Sequence, residues 1–438
     1  MDNTYNYFKK VFHKIKEANK KGLLLSFLLA AILISIPLKY AFSSITTIVF
    51  IVVSFSSSKL QFSFNKKLLL PVVFYFLMLA SLLWTEDTVL TTKGLQKEVA
   101  FLFIPVAFLF VSGLKNINRD YIIRLYSISM VFYAFYYFIK AVFRYVESKN
   151  ISVFFYHELV TQDLNAIYVS VFASLAIFYF ISLKEKRAID KFALLVLVGL
   201  VFLLSSKSII TIDFLLIVCY YSFFSEIPKS VKATTITTIV LFLVCSLTFV
   251  KEVKERFLLE YETAFVDNTL NNTIGGDEGK VYNISWRQAW QNESFEPNQF
   301  FPGAALRIYQ IRIFVEMLQQ DGILFTGVGL EASQDKIREK TKAYGLYPGY
   351  GEFNFHNQYI QTFCELGLLG FLIVCLMLFL NIKKACKNKD FLHIAFAVTM
   401  IILFLTESFF CRQRGVLFFV VLYCIFNTTV SEKRKEVK

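Results

Sequence analysis

Long apolar runs alternate with short charged connections along nearly the whole chain. A helix rises about 1.5 Å per residue and the hydrocarbon core of a bilayer is about 30 Å thick, so runs near this length read as crossings. Apolar spans fall at about 22–38, 41–57, 68–84, 98–114, 121–143, 166–183, 192–206, 208–225, 233–250, 366–381, 391–409 and 416–429, which makes twelve crossings with both ends on one side. The alternation breaks once, at a polar insertion over 251–355. Within it DNTLNNTIGGDEGK is turn-rich, whereas RIYQIRIFVEMLQQ carries apolar positions at helical spacing. The chain therefore divides into a segment 1–21, transmembrane helices 1–9 over 22–250, the insertion, helices 10–12 over 356–429 and a tail 430–438. The expected fold class is an all-α polytopic membrane protein of about twelve transmembrane helices with a large helical insertion on the outer face.

Composition agrees with the pattern, since 56% of the 438 residues are hydrophobic and 50 are Phe. A net charge of +13 would suggest nucleic acid in a soluble domain, but here its placement decides. Loops on the side of the N-terminus hold 25 Lys and Arg, while the short loops opposite hold eight: Lys39, Lys93, Lys97, Arg144, Lys149, Lys207, Arg412 and Arg414. By the positive-inside rule both termini are cytoplasmic, the insertion lies outside, and the partners are membrane lipids and no nucleic acid. Segment 1–21, with Phe8, Phe12 and Ile15 recurring among six lysines, reads as a helix on the inner leaflet. The seven Cys lie mostly in or beside apolar runs without a CxxC pair, and read as neither a disulfide framework nor a metal site.

Where the insertion rejoins the membrane, the stretch FHNQYIQTFCELGLLGF places a polar cluster at the mouth of an apolar helix. As a helix it would bring His356, Tyr359, Ile360, Phe363 and Leu366 onto one packed face, with Gln361 and Glu365 facing elsewhere. Gly367 and Gly370 would share a face that lets another helix approach. His356 is then either a reactive group or an interfacial histidine beside an ordinary packing seam.

His356-Asn357, nine residues, Gly367, two residues and Gly370 resemble the histidine motif of the O-antigen ligase and polymerase superfamily of membrane glycosyltransferases. Arg307 with its amphipathic helix, followed by Gly327-Val328-Gly329, is similar to that family's arginine helix and Gly-x-Gly turn, although Ile311 stands where the family has an aromatic residue. Ser206-Lys207 stands where the family usually has Ser-Arg, and Asp163-Leu164-Asn165 after His157 replaces its usual His-Pro. The resemblance implies a bacterial inner-membrane enzyme that takes a glycan from undecaprenyl pyrophosphate and passes it to an acceptor hydroxyl at the periplasmic face. A ligase to a lipid A-core acceptor is preferred because the ligase form of the histidine motif is matched in full; an O-antigen or exopolysaccharide polymerase joining repeat units is the alternative, followed by a related protein O-oligosaccharyltransferase. Outside the enzymes, a transporter or flippase of lipid-linked sugars would carry its ionisable residues at the bilayer midplane, whereas the basic candidates here cluster at the outer face.

Glycan transfer from a lipid pyrophosphate needs a base for the acceptor proton and cations for the leaving group. His356 suits the first role, because a neutral imidazole is available near neutral pH. Arg307 is the strongest candidate for the second, since a guanidinium fork binds phosphate oxygens bidentately. Lys207 follows, as either a pyrophosphate ligand or a snorkelling lysine, and Arg312 and Arg287 are weaker candidates. Asn357 and Gln358 read as residues that orient His356 or cap its helix. No metal motif occurs, no cofactor is implied, and catalysis is expected to proceed without a divalent ion. His13, His157 and His393 read as structural or surface residues and Lys336 as a surface lysine. Asp213 and Glu407 lie within or at the edge of apolar spans, where an ionisable group suggests function; Asp213 reads as structural, through a salt bridge to a neighbouring span or to Arg124 or Lys140. Trp286, Trp290 and Tyr282 suit either sugar stacking or a small-domain core.

Overall fold

The computed structural model describes residues 22–57, 59–161, 164–249, 258, 261–271 and 279–428. The basic segment 1–21 and the tail 430–438 lie outside the described residues. The first helices are α1 Leu23–Ser35, α2 Tyr40–Ser57, α3 Lys66–Ala80, α4 Thr88–Glu98, α5 Ala100–Phe110 and α6 Arg119–Ser148. Then come the short α7 Tyr156–Val160, α8 Ala166–Ser182, α9 Ala188–Leu203, α10 Lys207–Cys219 and α11 Lys229–Phe249. The insertion supplies α12 Trp286–Gln291, α13 Gly303–Gln320 and α14 Ser333–Ala343, and the chain closes with α15 Gln358–Asn388, α16 Phe391–Leu403 and α17 Gln413–Thr428.

Among the described residues four helices are long and apolar enough to cross a membrane: Lys66–Leu83, Arg119–Ser148, Lys207–Phe224 and Gln358–Asn388. Five more, α1, α2, α8, α16 and α17, are apolar but shorter. The expected span 98–114 contracts to the eleven residues of α5, because the backbone turns extended at Val111 and runs on as a 3-10 turn over Ser112–Asn116, while the residues before it form a separate helix, α4, capped by Asp87 through the amides of Val89 and Leu90. Helix α15 starts at Gln358, earlier than the apolar run, because the Asn357 side chain accepts from the Ile360 amide and caps the helix there.

α17 is the hub. Its residues from Arg414 to Asn427 are all buried, and it packs against α1, α3, α5 and α15. An apolar surface on every side is what a helix at the centre of a bundle requires. The rim is different: on α6, Phe132, Ile139 and Phe143 are exposed, as lipid-facing side chains would be. Between α16 and α17, Phe410 packs with ring centroids 5.0 Å from Phe101, 5.0 Å from Phe404 and 5.1 Å from Phe419. Aromatic contacts of this kind contribute about 0.5–1.5 kcal/mol each beyond buried area, and here they pin the loop 404–412.

The insertion is not purely helical. β1 Thr269–Leu270 runs antiparallel to β2 Tyr282–Asn283, which runs parallel to β3 Gln299–Phe300. Beside this small sheet, Ile284, Phe295, Phe301, Tyr309, Ile313 and Ile337 form a second core, separate from that of the bundle. Trp286 and Trp290 stay partly exposed outside it, so the small-domain core does not account for them.

Candidate active site

The site is built on the loop 405–408, which two arms of the chain reach. From one side comes α13, whose spacing turns Tyr309, Ile313 and Met317 into the second core and leaves Arg307 half-buried at its edge. Arg307 donates from Nε (3.3 Å) and Nη2 (3.2 Å) to the Thr406 carbonyl, and from Nη1 (3.1 Å) to the Gly303 carbonyl. A guanidinium has five N–H donors, so about two remain to face an anion.

From the other side comes the turn before α15. His356 stands outside the helix, in the left-handed region at φ 45, with its amide donating to Asn354 Oδ1 at 2.9 Å. For a residue with a Cβ this conformation costs on the order of 1–2 kcal/mol, strain of a kind that clusters at functional sites. It aims Nδ1 at Glu407 Oε2, 3.4 Å away, with the histidine side chain 25% and the glutamate 5% exposed. Glu407, left open at the level of sequence, thus becomes the partner of His356; its only sequence signal is a carboxylate at the edge of an apolar span.

Behind the pair runs a buried polar chain. The Asn357 amide donates to Ser408 Oγ (3.1 Å), whose hydroxyl donates to Gln361 Oε1 (3.3 Å), and the same oxygen accepts from the Phe355 amide (3.1 Å). Gln361 Nε2 in turn donates to Ser333 Oγ (2.9 Å) and to Glu365. Gln361 and Glu365 are therefore buried and do not face away from the packed side as expected; two polar groups can be buried here because each satisfies the other. Gln358 is also committed to structure, its Oε1 accepting from the Phe410 amide at 2.7 Å.

The glycine seam is corrected as well. Gly367 is not helical: its φ 65, ψ −166 breaks α15, and the atoms nearest to it are those of Phe325 and Thr326 in the turn after α13. Into the break comes the turn Gly327-Val328-Gly329, with Val328 N donating to the Cys364 carbonyl (2.9 Å) and Gly329 N to that of Glu365 (3.0 Å). Leu368 N donates back to the Leu324 carbonyl at 2.8 Å. A Cβ on Gly367 would stand 2.2 Å from the Phe325 carbonyl oxygen, and one on Gly370 would meet Leu366 of its own preceding turn at 2.5 Å. The two glycine motifs are one joint, through which the insertion is tied to the bundle.

The other cations are placed differently. Lys207 is half-buried in the first turn of α10, where the helix dipole adds to the positive potential. Arg312, whose side chain is 13% exposed, pairs with Glu316 (3.0 Å), donates to the Asn292 carbonyl and Tyr344 hydroxyl, and stacks on the Tyr344 ring, so its fork is filled from within the insertion. Arg287 is paired with Asp267, whose carboxyl is held below its ordinary range by hydrogen bonds from Arg287 and Ser285. Lys336 is not a free surface lysine, since it contacts Asp321 (3.3 Å), Glu86 (3.5 Å) and Glu339 (3.9 Å). Asp213 accepts from Ser174 Oγ at 2.7 Å across α8 and α10, in place of the anticipated salt bridge. His393 is buried against Asn381 (2.7 Å), and His157 accepts from the Ala166 amide (3.3 Å), both structural as expected. No group of three or more His, Cys, Asp or Glu able to hold a metal occurs among the described residues.

Residues 159–375 match a family model described as O-Antigen ligase, and no curated protein matches the chain. The match takes in Lys207, Arg307, the Gly327 turn, His356 and both motif glycines, and ends before Glu407. That match, over just under half of the chain, and the histidine motif inside it support the O-antigen ligase and polymerase superfamily.

Proposed function

We propose that the protein is a twelve-span glycosyltransferase of the bacterial inner membrane, which moves a glycan from undecaprenyl pyrophosphate to a lipid A-core hydroxyl at the periplasmic face. The observation that carries this reading is the convergence of His356 and Arg307 on the loop of Thr406 and Glu407. His356, oriented through Nδ1 by Glu407, takes the acceptor proton on Nε2. The acceptor oxygen bonds to the anomeric carbon, and the bond from that carbon to the pyrophosphate oxygen breaks with its electron pair on the leaving group. Arg307 and Lys207 meet the developing negative charge, so that no divalent ion is needed. Arg312 and Arg287, engaged within the insertion, support its shape and not the pyrophosphate.

A deletion strain tests the reading on a gel of surface polysaccharide. Loss of full-length chains attached to lipid A-core is the expected result; attached single repeats would make the protein a polymerase, and an unchanged ladder would sink both forms. Purified protein with a lipid-linked donor should keep its activity in EDTA, and a loss restored by magnesium or manganese would overturn metal independence.

A further inference from the structure

A cavity of about 550 Å³ lies apart from the His356 loop, walled by α1, one face of α6, the end of α7 and Arg414. None of His356, Arg307 and Glu407 lines it. The α6 wall is built from Ser129, Phe132, Tyr133, Tyr136, Tyr137 and Lys140, a run at three- and four-residue spacing. From Ser129 to Lys140 it climbs about 16 Å at the helical rise per residue. Polarity changes along that climb. Toward Ser129 the walls are apolar, with Ile34 and Phe132; toward Lys140 stand Lys39, Thr161 and Arg414.

Lys140 Nζ lies 3.3 Å from Thr161 Oγ1. Arg414 is set in place by the carbonyls of Ile36 (3.1 Å) and Leu38 (2.9 Å), with its guanidinium 4.3 Å over the Tyr40 ring. Three cations thus stand at one end, and no carboxylate is among the described lining residues. Phe132 and Tyr136 are 70% and 56% exposed, so the cavity opens sideways along the membrane-facing surface of α6. Its volume is within the range of ligand pockets, and a charged end over an apolar trough matches an anionic head on a hydrocarbon chain.

We propose that this cavity binds a lipid phosphate, with the phosphate held by Lys39, Lys140 and Arg414 and the chain lying along α6 toward Phe132. The proposal rests on the reading above only for the leaflet that the cations face. Two lipids share this chemistry, an isoprenoid phosphate and an anionic bilayer phospholipid.

Full-length protein in phosphatidylcholine nanodiscs, with farnesyl phosphate as probe and farnesol as its uncharged counterpart, tests this by native mass spectrometry. Farnesyl phosphate should bind at least about tenfold more tightly than farnesol, the worth of roughly one charge-assisted contact. Because the proposed donor site would take the same probe, the charge variants are compared in an Arg307→Ala, Lys207→Ala background, where the double change Lys39→Ala with Lys140→Ala should remove that preference. Lys140→Arg should keep it, and Ser129→Trp, which fills the trough without altering charge, should exclude both probes. Should the double variant fold poorly, the exposed Lys39→Ala alone is expected to lose part of the preference. Competition by phosphatidylglycerol at equal concentration would identify a bilayer phospholipid as the occupant, and its failure to compete an isoprenoid phosphate; either supports the site. Unchanged affinity in the charge variants and in Ser129→Trp would overturn it. His356→Ala should bind farnesyl phosphate as the wild type does while losing transfer, so that the two readings fail separately.

Discussion

At the scale of single residues, the roles assigned to His356, Glu407 and Arg307 make separable demands. His356→Ala should fold and retain donor binding while turnover falls by about 10²–10⁴-fold, the usual worth of a general base. Glu407→Gln keeps the size of the side chain and the buried position but removes the charge that orients the imidazole, so turnover should fall by about tenfold or more with little change in KM. Arg307→Ala should also raise the donor KM, and Arg307→Lys should recover only part, because a point charge cannot reproduce the fork. Lys207→Arg, which restores the residue implied by the family resemblance, should be tolerated. A steady-state titration of the lipid-linked donor checks all five variants. If His356→Ala retained full transfer at normal protein levels, His356 would be a packing residue. The histidine and the arginine were legible in the chain because their chemistry is specific to their residue types. The pairing of His356 with Glu407 was not, because 51 positions separate them and nothing in local spacing brings the turn before α15 to the loop after α16.

At the scale of elements, periodicity found α13 where the apolar positions recur, but it misread α15. Gln361 and Glu365 fall off the packed face on a helical wheel, and only the approach of Ser333 and Ser408 from other elements makes their burial affordable. The break at Gly367 was hidden for a similar reason: a glycine pair reads as a helix seam until the turn at 324–329 is seen to fill it. Gly367→Ala should therefore cost about 3 kcal/mol or more, since it adds a buried clash to an unfavourable backbone. Gly322→Ala, at φ 64 with nothing within 4 Å of the new methyl, should cost only about 1–2 kcal/mol. Thermal unfolding of the two purified variants tests the difference, and equal losses would mean that the joint is unimportant. Acid should also act on the insertion. Burial raises the Glu316 carboxyl pKa, but hydrogen bonds from Tyr344, Lys340 and Arg312 outweigh it and hold the group below its ordinary value. A depressed carboxyl stabilises the fold above its unfolded pKa of about 4.3, and that contribution is lost as pH falls through the folded value. Hydrogen exchange in α13 and α14 should accordingly be faster in Glu316→Gln than in wild type at pH 7, and the gap should narrow as pH falls below the ordinary carboxylate range.

At the scale of the whole molecule, the charge count anticipates which connections meet. Gln61 and Ser63 pair with the carbonyls of Phe110 and Leu109 (both 2.7 Å), Arg119 joins Asp390, and Lys384 reaches the Phe426 carbonyl (2.9 Å), all at one end of the bundle. At the other end Trp84 Nε1 donates to the Thr326 carbonyl (2.9 Å), Lys97 pairs with Glu331, and Arg414 holds the loop after α1. Segments expected on opposite sides of the membrane thus fall into two separate sets of contacts. The direction of the whole assembly is a separate matter, because turning it over would leave every contact intact while placing His356 where no exported donor could reach it. Cys386 is an exposed native reporter at the basic end, and Glu296, in an exposed loop of the insertion, serves for the other once changed to Cys. With a membrane-impermeant maleimide on spheroplasts, the Glu296→Cys peptide should be labelled at once and the Cys386 peptide only after the membrane is opened, as mass spectrometry of the digested protein would show. Immediate labelling of Cys386 with protection of the Glu296→Cys site would put the His356 loop on the cytoplasmic face and remove the proposed transfer reaction.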